Sequence, residues 1–270
     1  MIAPVVSAAW TAEHRDEVVL ADVRWYLDGS PGRAAYDAGH LPGAVFVELD
    51  EWLAADGSPE RGRHPLPDPE VFARGMRELG IGDGDTVVAY DDQGGVIAAR
   101  LVWMLRVTGR EAALLDGGIQ AWEGELQTEP AERPPAAFTA RPWPAGALAG
   151  ADDAADPGNA VIDARPRERY LGGAPDPVDP RPGHVPGARS LPAREHVGAD
   201  GRLLPAEQLR ARFAAAGADG SKPVVSYCGS GVTACHNLVL LEHLGLAPGR
   251  LYPGSWSQWS HTDRPAETGS

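Results

Sequence analysis

Cysteine is scarce in this 270-residue chain, which has only Cys228 and Cys235. Two cysteines cannot make a disulfide scaffold, and the simplest compartment for them is a reducing cytoplasm. Positive charge is also short. The formal net charge is −14 and the pI is near 4.9. Phosphate contacts need clustered Lys and Arg, so a general nucleic-acid binder is excluded. The same deficit argues against docking on an anionic membrane surface. An anionic substrate would have to be held by local positive groups against a repulsive global field. No apolar run approaches the ~18 residues of a membrane span. Met1 to Trp10 contains neither Lys nor Arg and no long apolar stretch, which makes it a poor signal peptide.

What the chain does have is a core and a duplication. Apolar residues make up 43%, enough for one large domain or two ordinary ones. Val19-Leu20-Ala21-Asp22-Val23-Arg24 resembles Ala160-Val161-Ile162-Asp163-Ala164-Arg165, each a short buried strand ending in Asp-x-Arg. Gly39-His40-Leu41-Pro42-Gly43-Ala44 matches Gly183-His184-Val185-Pro186-Gly187-Ala188. A helix is predicted from Pro69 to about Leu79 before Gly80, and another from Pro205 to about Ala216 before Gly217. Proline at the start and glycine past the end are the usual signals. Val87-Val88-Ala89-Tyr90 then matches Val224-Val225-Ser226-Tyr227, and Gly117 and Trp122 match Gly254 and Trp259. Tyr90 to Trp122 and Tyr227 to Trp259 are the same 32 residues apart.

Five matches in one order indicate a duplicated domain, with a period too long for a solenoid. Short apolar strands alternate with helices, so each copy should be an α/β domain. Its sheet should be mainly parallel, with helices on both faces. The predicted organisation is a domain over 1–130, a Pro- and Ala-rich linker over 131–156, and a second domain over 157–270. Phe138 and Trp143 imply that part of the linker packs onto a domain.

Cys228 directly follows the second strand of the second copy. Gly229, Ser230, Gly231, Val232 and Thr233 come next, and then a helix over Ala234 to Leu244. Strand, small-residue turn and helix N-terminus together make an anion cradle of backbone N–H groups and helix dipole. Such a cradle favours a thiolate, the nucleophilic form, and would equally hold a persulfide anion. Cys235 lies on the helix and reads as a structural residue. Its spacing of seven from Cys228 does not suit paired zinc ligands, and no metal is predicted. Aligned on the two tyrosines, the first copy carries Asp91 at the cysteine position, in Asp91-Asp92-Gln93-Gly94-Gly95-Val96. Asp cannot accept sulfur, and two carboxylates should spoil an anion cradle. The first domain is therefore expected to be catalytically inactive.

These motifs together resemble the tandem-domain rhodanese family, the thiosulfate and 3-mercaptopyruvate sulfurtransferases, and the resemblance covers essentially the whole chain. The loop Cys228-Gly229-Ser230-Gly231-Val232-Thr233 is similar to the mercaptopyruvate branch. The thiosulfate branch usually carries basic residues just after the cysteine, and Gly229 and Ser230 have no charge. The resemblance implies a relay of Ser230, His64 and Asp50 that orients the thiol and delivers a proton. It implies arginines against the donor carboxylate, with Arg169 matching the first. The second family arginine is missing after Asp176-Pro177, where Val178 stands, and Arg181 is the candidate substitute. Gly229, Gly231, Val232 and Thr233 would line the substrate.

The implied reaction moves sulfane sulfur from a small anionic donor, 3-mercaptopyruvate or alternatively thiosulfate, through a Cys228 persulfide. A thiol, thioredoxin or cyanide would accept it, with no cofactor. A phosphatase would need Cys-x5-Arg, and the sixth residue after Cys228 is Ala234. A non-catalytic sulfur-binding or regulatory module fits poorly with an intact cysteine loop. His40 and His184 recur in both copies and should hold the turn, while the Asp-x-Arg residues should pair within each domain. Trp256 and Trp259 should wall the pocket or fill the core.

Overall fold

A computed structural model describes residues 2–176 and 178–269. The chain divides into two compact units. One comprises Met1–Ala55, Pro67–Trp143 and Val197–Leu203, and the other Asp56–Leu66, Pro144–His196 and Leu204–Ser270.

The first unit holds strands β1 (Val5–Val6), β2 (Val18–Asp22), β3 (Val45–Phe46), β4 (Thr86–Tyr90) and β5 (Ala112–Leu115), in the order β1-β5-β4-β2-β3. The second holds β6 (Ala160–Asp163), β7 (Arg189–Ser190), β8 (Val224–Tyr227) and β9 (Gly249–Leu251), in the order β7-β6-β8-β9. Every pairing within both sheets is parallel. The helices are α1 (Ala8–Glu13), α2 (Gly32–Ala38), α3 (Pro69–Glu78), α4 (Ala99–Val107), α5 (Ala151–Ala155), α6 (Arg167–Leu171), α7 (Ala206–Ala215), α8 (Ala234–His243) and α9 (Ser255–Trp259). The predicted strands and helices are thus present in both copies. Strands β6 and β8 are buried at every position, as a sheet covered on both faces requires. The Asp68 side chain accepts the Glu70 N–H at the start of α3, with Pro69 in the first turn.

The repeated motifs hold each sheet in the same way. Arg24 pairs with Asp22 and donates to the Gly39 carbonyl, and Arg165 repeats this with Asp163 and the Gly183 carbonyl. His40 stacks on Tyr36 and bonds its carbonyl, as His184 does with Tyr170. The Tyr90 and Tyr227 hydroxyls accept the Leu41 and Val185 N–H groups. Trp256 and Trp259 are fully buried with Tyr227 and Tyr252, so they fill the core. Among the described residues no helix is long and apolar enough to cross a membrane.

Residues 131–156 do not form a free linker. Phe138 packs edge-on against Phe72, with the Arg110 guanidinium 3.8 Å from its ring centroid, and the Trp143 indole N–H donates to the Pro67 carbonyl. Ala136 N–H bonds the Arg77 carbonyl at the end of α3. Pro144–His196 belongs to the second unit, where Leu148 bridges Leu251. Phe138 and Trp143 thus pack onto a domain, as their place in a Pro- and Ala-rich stretch implied. The other departure is residues 56–66, which lie in the first half of the sequence but pack on the second sheet's unit. Gly62 makes this possible. Its φ is +86°, and a Cβ there would sit 2.4 Å from the Gly254 carbonyl oxygen.

Candidate active site

Cys228 directly follows β8 and is 2% exposed. Its own N–H donates to Ser255 Oγ at 3.2 Å, and its carbonyl accepts the Trp256 N–H. Ser255 has a φ of +53°, a strained value for a residue with a side chain. That strain lets one hydroxyl accept from Cys228 and donate to the Tyr252 carbonyl, fixing where the loop begins. Gly231, at φ +82°, turns its N–H onto Cys228 Sγ at 3.1 Å. A Cβ on Gly231 would lie 2.7 Å from the Pro253 carbonyl oxygen, so the turn requires glycine. The loop then passes into α8, where the buried Cys235 thiol donates to the Gly231 carbonyl, the structural role expected of it.

His64 arrives on the 56–66 segment. Its Nδ1 lies 2.8 Å from Ser230 Oγ, and both side chains are buried. The segment is tied down by Arg63 N–H donating to Ser257 Oγ and by the Gln258 amide donating to the Glu60 carbonyl.

Two guanidinium groups converge on the residue after the cysteine. Arg169 donates to Asp176 through Nε and Nη2, and to Asp179 through Nη2. Arg63 donates to the other oxygen of Asp179 through Nη1. Asp179 is only 5% exposed and holds both arginines at once. Their remaining edges face Gly229, with Arg63 Nη2 3.1 Å and Arg169 Nη1 3.4 Å from where a Cβ would stand. Two cations and two carboxylates balance, so the cluster is locally neutral before any substrate enters. The cost of burying either arginine alone is offset by its paired carboxylates.

The first copy shows what the same strand–turn–helix does with an anion. Asp91 is fully buried after β4. Its Oδ1 accepts the N–H groups of Gln93 and Gly95, and its Oδ2 those of Ile97 and Ala98. Burial pushes this carboxyl above its usual range, and the four N–H groups pull against that shift. The expectation that a carboxylate here would spoil the cradle is thus corrected. The carboxylate fills it.

A rhodanese-like domain model matches the chain twice, over residues 7–125 and 148–262. The chain belongs to the rhodanese family. A Pseudomonas aeruginosa protein named "Probable 3-mercaptopyruvate sulfurtransferase" is 40% identical over 94% of this chain and 93% of its own length. A Mycobacterium tuberculosis protein that carries a thiosulfate sulfurtransferase name is 38% identical over 91% and 88%. The solved structure of 3-mercaptopyruvate sulfurtransferase from Leishmania major superposes with a TM-score of 0.88 at 32% identity, covering 97% of this chain and 75% of that one.

Within this rhodanese frame the expected site residues separate. Cys228, Ser230, His64 and Arg169 come together in the second unit with Gly229 and Gly231, and the buried Val232 continues the loop to Thr233. Asp50 lies in the first unit, on a single π-helical turn over Leu49–Leu53, and accepts the Trp25 indole N–H at 3.0 Å. Arg181 is a correction. Its three nitrogens donate to the carbonyls of Ser260, Arg264 and Trp259, so it clamps the chain after α9 rather than facing the cysteine loop. Pro177, beside the expected arginine position, lies outside the described residues. The residue that sequence reading missed is Arg63. Its signal was its place directly before His64, but its partner Asp179 is 116 residues away.

Proposed function

We propose that this sulfurtransferase takes sulfur from 3-mercaptopyruvate onto Cys228. The observation that carries the reading is the pair of free guanidinium edges, on Arg63 and Arg169, over Gly229 beside the cysteine. A planar carboxylate can bridge two such forks. A locally neutral cluster suits a monoanionic carboxylate better than the thiosulfate dianion, and Gly229 and Ser230 add no charge. Cys228 thiolate attacks the donor sulfur, and the C3–S bond breaks with its electron pair on carbon. That carbon takes a proton to give pyruvate, while the Cys228–S–S bond retains the sulfur. Ser230 and His64, with Asp50 as a third member, orient the thiol and relay the proton.

The product persulfide has its terminal sulfur three bonds from Cα, as Asp91 has its carboxylate oxygens. The four N–H donors around Asp91 thus display the cradle such an anion needs in this fold. A thiol, thioredoxin or cyanide then attacks the terminal sulfur and frees the Cys228 thiolate. The two free cysteines suit a reducing cytoplasm.

The test is sulfur transfer from 3-mercaptopyruvate and from thiosulfate, side by side, with Cys228→Ser as control. Faster turnover of mercaptopyruvate, abolished by the substitution, is expected. Preference for thiosulfate would overturn the donor assignment and leave the sulfurtransferase.

A further inference from the structure

The two copies carry equivalent grooves at their edge strands, and they differ in what lies across them. In the first unit the groove runs between α2, β3 and the end of α3. Residues 131–136 of the same chain lie along it. Ala131 N–H donates to the Tyr36 hydroxyl, Arg133 Nε to the Gly80 carbonyl, and Ala136 N–H to the Arg77 carbonyl. The approach is close enough that a Cβ on Gly80 would lie 2.5 Å from Arg133 Cβ.

The second unit repeats the groove, about 380 Å³ in volume, between α6, β7 and the end of α7. Equivalence is fixed by register. Asp22 pairs Phe46 as Asp163 pairs Ser190, and Gly80 after α3 corresponds to Gly217 after α7. Tyr170 stands where Tyr36 stands, and its hydroxyl donates to the Ala188 carbonyl as that of Tyr36 donates to Ala44. Nothing comparable to residues 131–136 crosses it among the described residues. A Cβ on Gly217 would meet only Ala160 Cβ, at 3.8 Å.

The lining has also changed in kind. Val45, Phe46, Glu78 and Leu79 of the first groove become Arg189, Ser190, Ala215 and Ala216 in the second. Arg167 and Arg212 also line it and share a single carboxylate, Glu195, while Arg189 is exposed and makes no ion pair among the described residues. Three cations against one anion give a basic groove on a chain of net charge −14. Ser190 Oγ is buried there with no hydrogen-bond partner. A polar group that is left unsatisfied in this way is costly unless a ligand meets it.

We propose that this groove docks an extended acidic segment of a partner protein, laid across it as residues 131–136 lie across the first. The segment's backbone N–H would bond the Tyr170 hydroxyl, and its carboxylates would pair with Arg189 and Arg212. Strand-edge grooves commonly take extended peptides through backbone bonds, with side-chain pockets setting specificity.

The probe is a fluorescein-labelled peptide of residues 129–137 carrying Arg133→Glu, titrated against the full chain by fluorescence anisotropy at two salt concentrations. Saturable, salt-sensitive binding is expected, weakened about tenfold or more by Arg189→Glu, since each tenfold step is one charge-pair-sized change. Arg189→Ala should weaken it less, and both variants should form the Cys228 persulfide at the wild-type rate. Three results would overturn the proposal. These are failure of the peptide to saturate at millimolar concentration, binding to Arg189→Glu as tight as to wild type, and displacement by inorganic pyrophosphate at equal charge concentration. The last result would make the groove a small-anion site.

Discussion

At the scale of single residues, the site divides into guanidinium groups turned toward Gly229 and the carboxylates that hold them. Arg63 and Arg169 turn toward it, and Asp176 and Asp179 hold them. In the proposed function those two edges take the donor carboxylate. Charge-assisted hydrogen bonds contribute about 1.5–3 kcal/mol each. Arg63→Ala and Arg169→Ala are therefore each expected to lower kcat/KM for 3-mercaptopyruvate by about 10- to 100-fold, read from initial rates. Arg181→Ala should leave that ratio within a few-fold of wild type. It should instead lower stability by about 1–3 kcal/mol in urea melts, because three backbone carbonyls lose their donors. Equal damage to kcat/KM from all three would refute this division. Gly229 is the complementary case. Its missing Cβ leaves room for both guanidinium edges, so Gly229→Ala should raise KM for the donor more than it lowers kcat. Sequence alone pointed to Cys228, through its strand, small-residue turn and helix, and the family resemblance pointed to Ser230, His64 and Arg169. Neither pointed to Arg63, whose role depends on Asp179, or to Ser255, whose role depends on a backbone angle.

At the scale of elements, the strand–turn–helix after β4 and after β8 is one device used twice. In the first unit the device closes on its own carboxylate, and in the second it presents a sulfur atom. Asp91→Asn keeps the shape but replaces one acceptor oxygen by a donor facing backbone N–H groups. It should destabilise the chain by about 1–3 kcal/mol in urea melts. An unchanged midpoint would show that the four bonds do not hold the turn. Strands and helices were legible because apolar runs and Pro/Gly boundaries are local signals, as the agreement of α3 and α7 with their predicted ranges shows. Residues 56–66 were not legible, because their placement depends on Gly62 against Gly254, a contact with no period in the sequence. Of residues 131–156 only the packing of Phe138 and Trp143 was legible, and their partners Phe72 and Pro67 were not.

At the scale of the whole molecule, duplication has separated the two copies by their buried polar groups. His196 and Asn237 form such a pair in the second unit, at 3.0 Å. Burial lowers the His196 pKa to about 4, and the Asn237 bond only partly opposes this. In the unfolded chain a histidine titrates near 6.5. As pH falls below about 6.5 the unfolded chain binds a proton that the folded chain refuses, so stability drops until about pH 4. Between pH 7 and 4.5 this residue should remove about 2–3 kcal/mol, a loss that His196→Gln should largely abolish in paired urea melts.

The central claim is that Cys228 carries the sulfur, and intact-protein mass spectrometry after brief exposure to 3-mercaptopyruvate tests it most directly. The account predicts a gain of one sulfur atom, reversed by cyanide and missing in Cys228→Ser. No gain in wild type, or the same gain in Cys228→Ser, would contradict it.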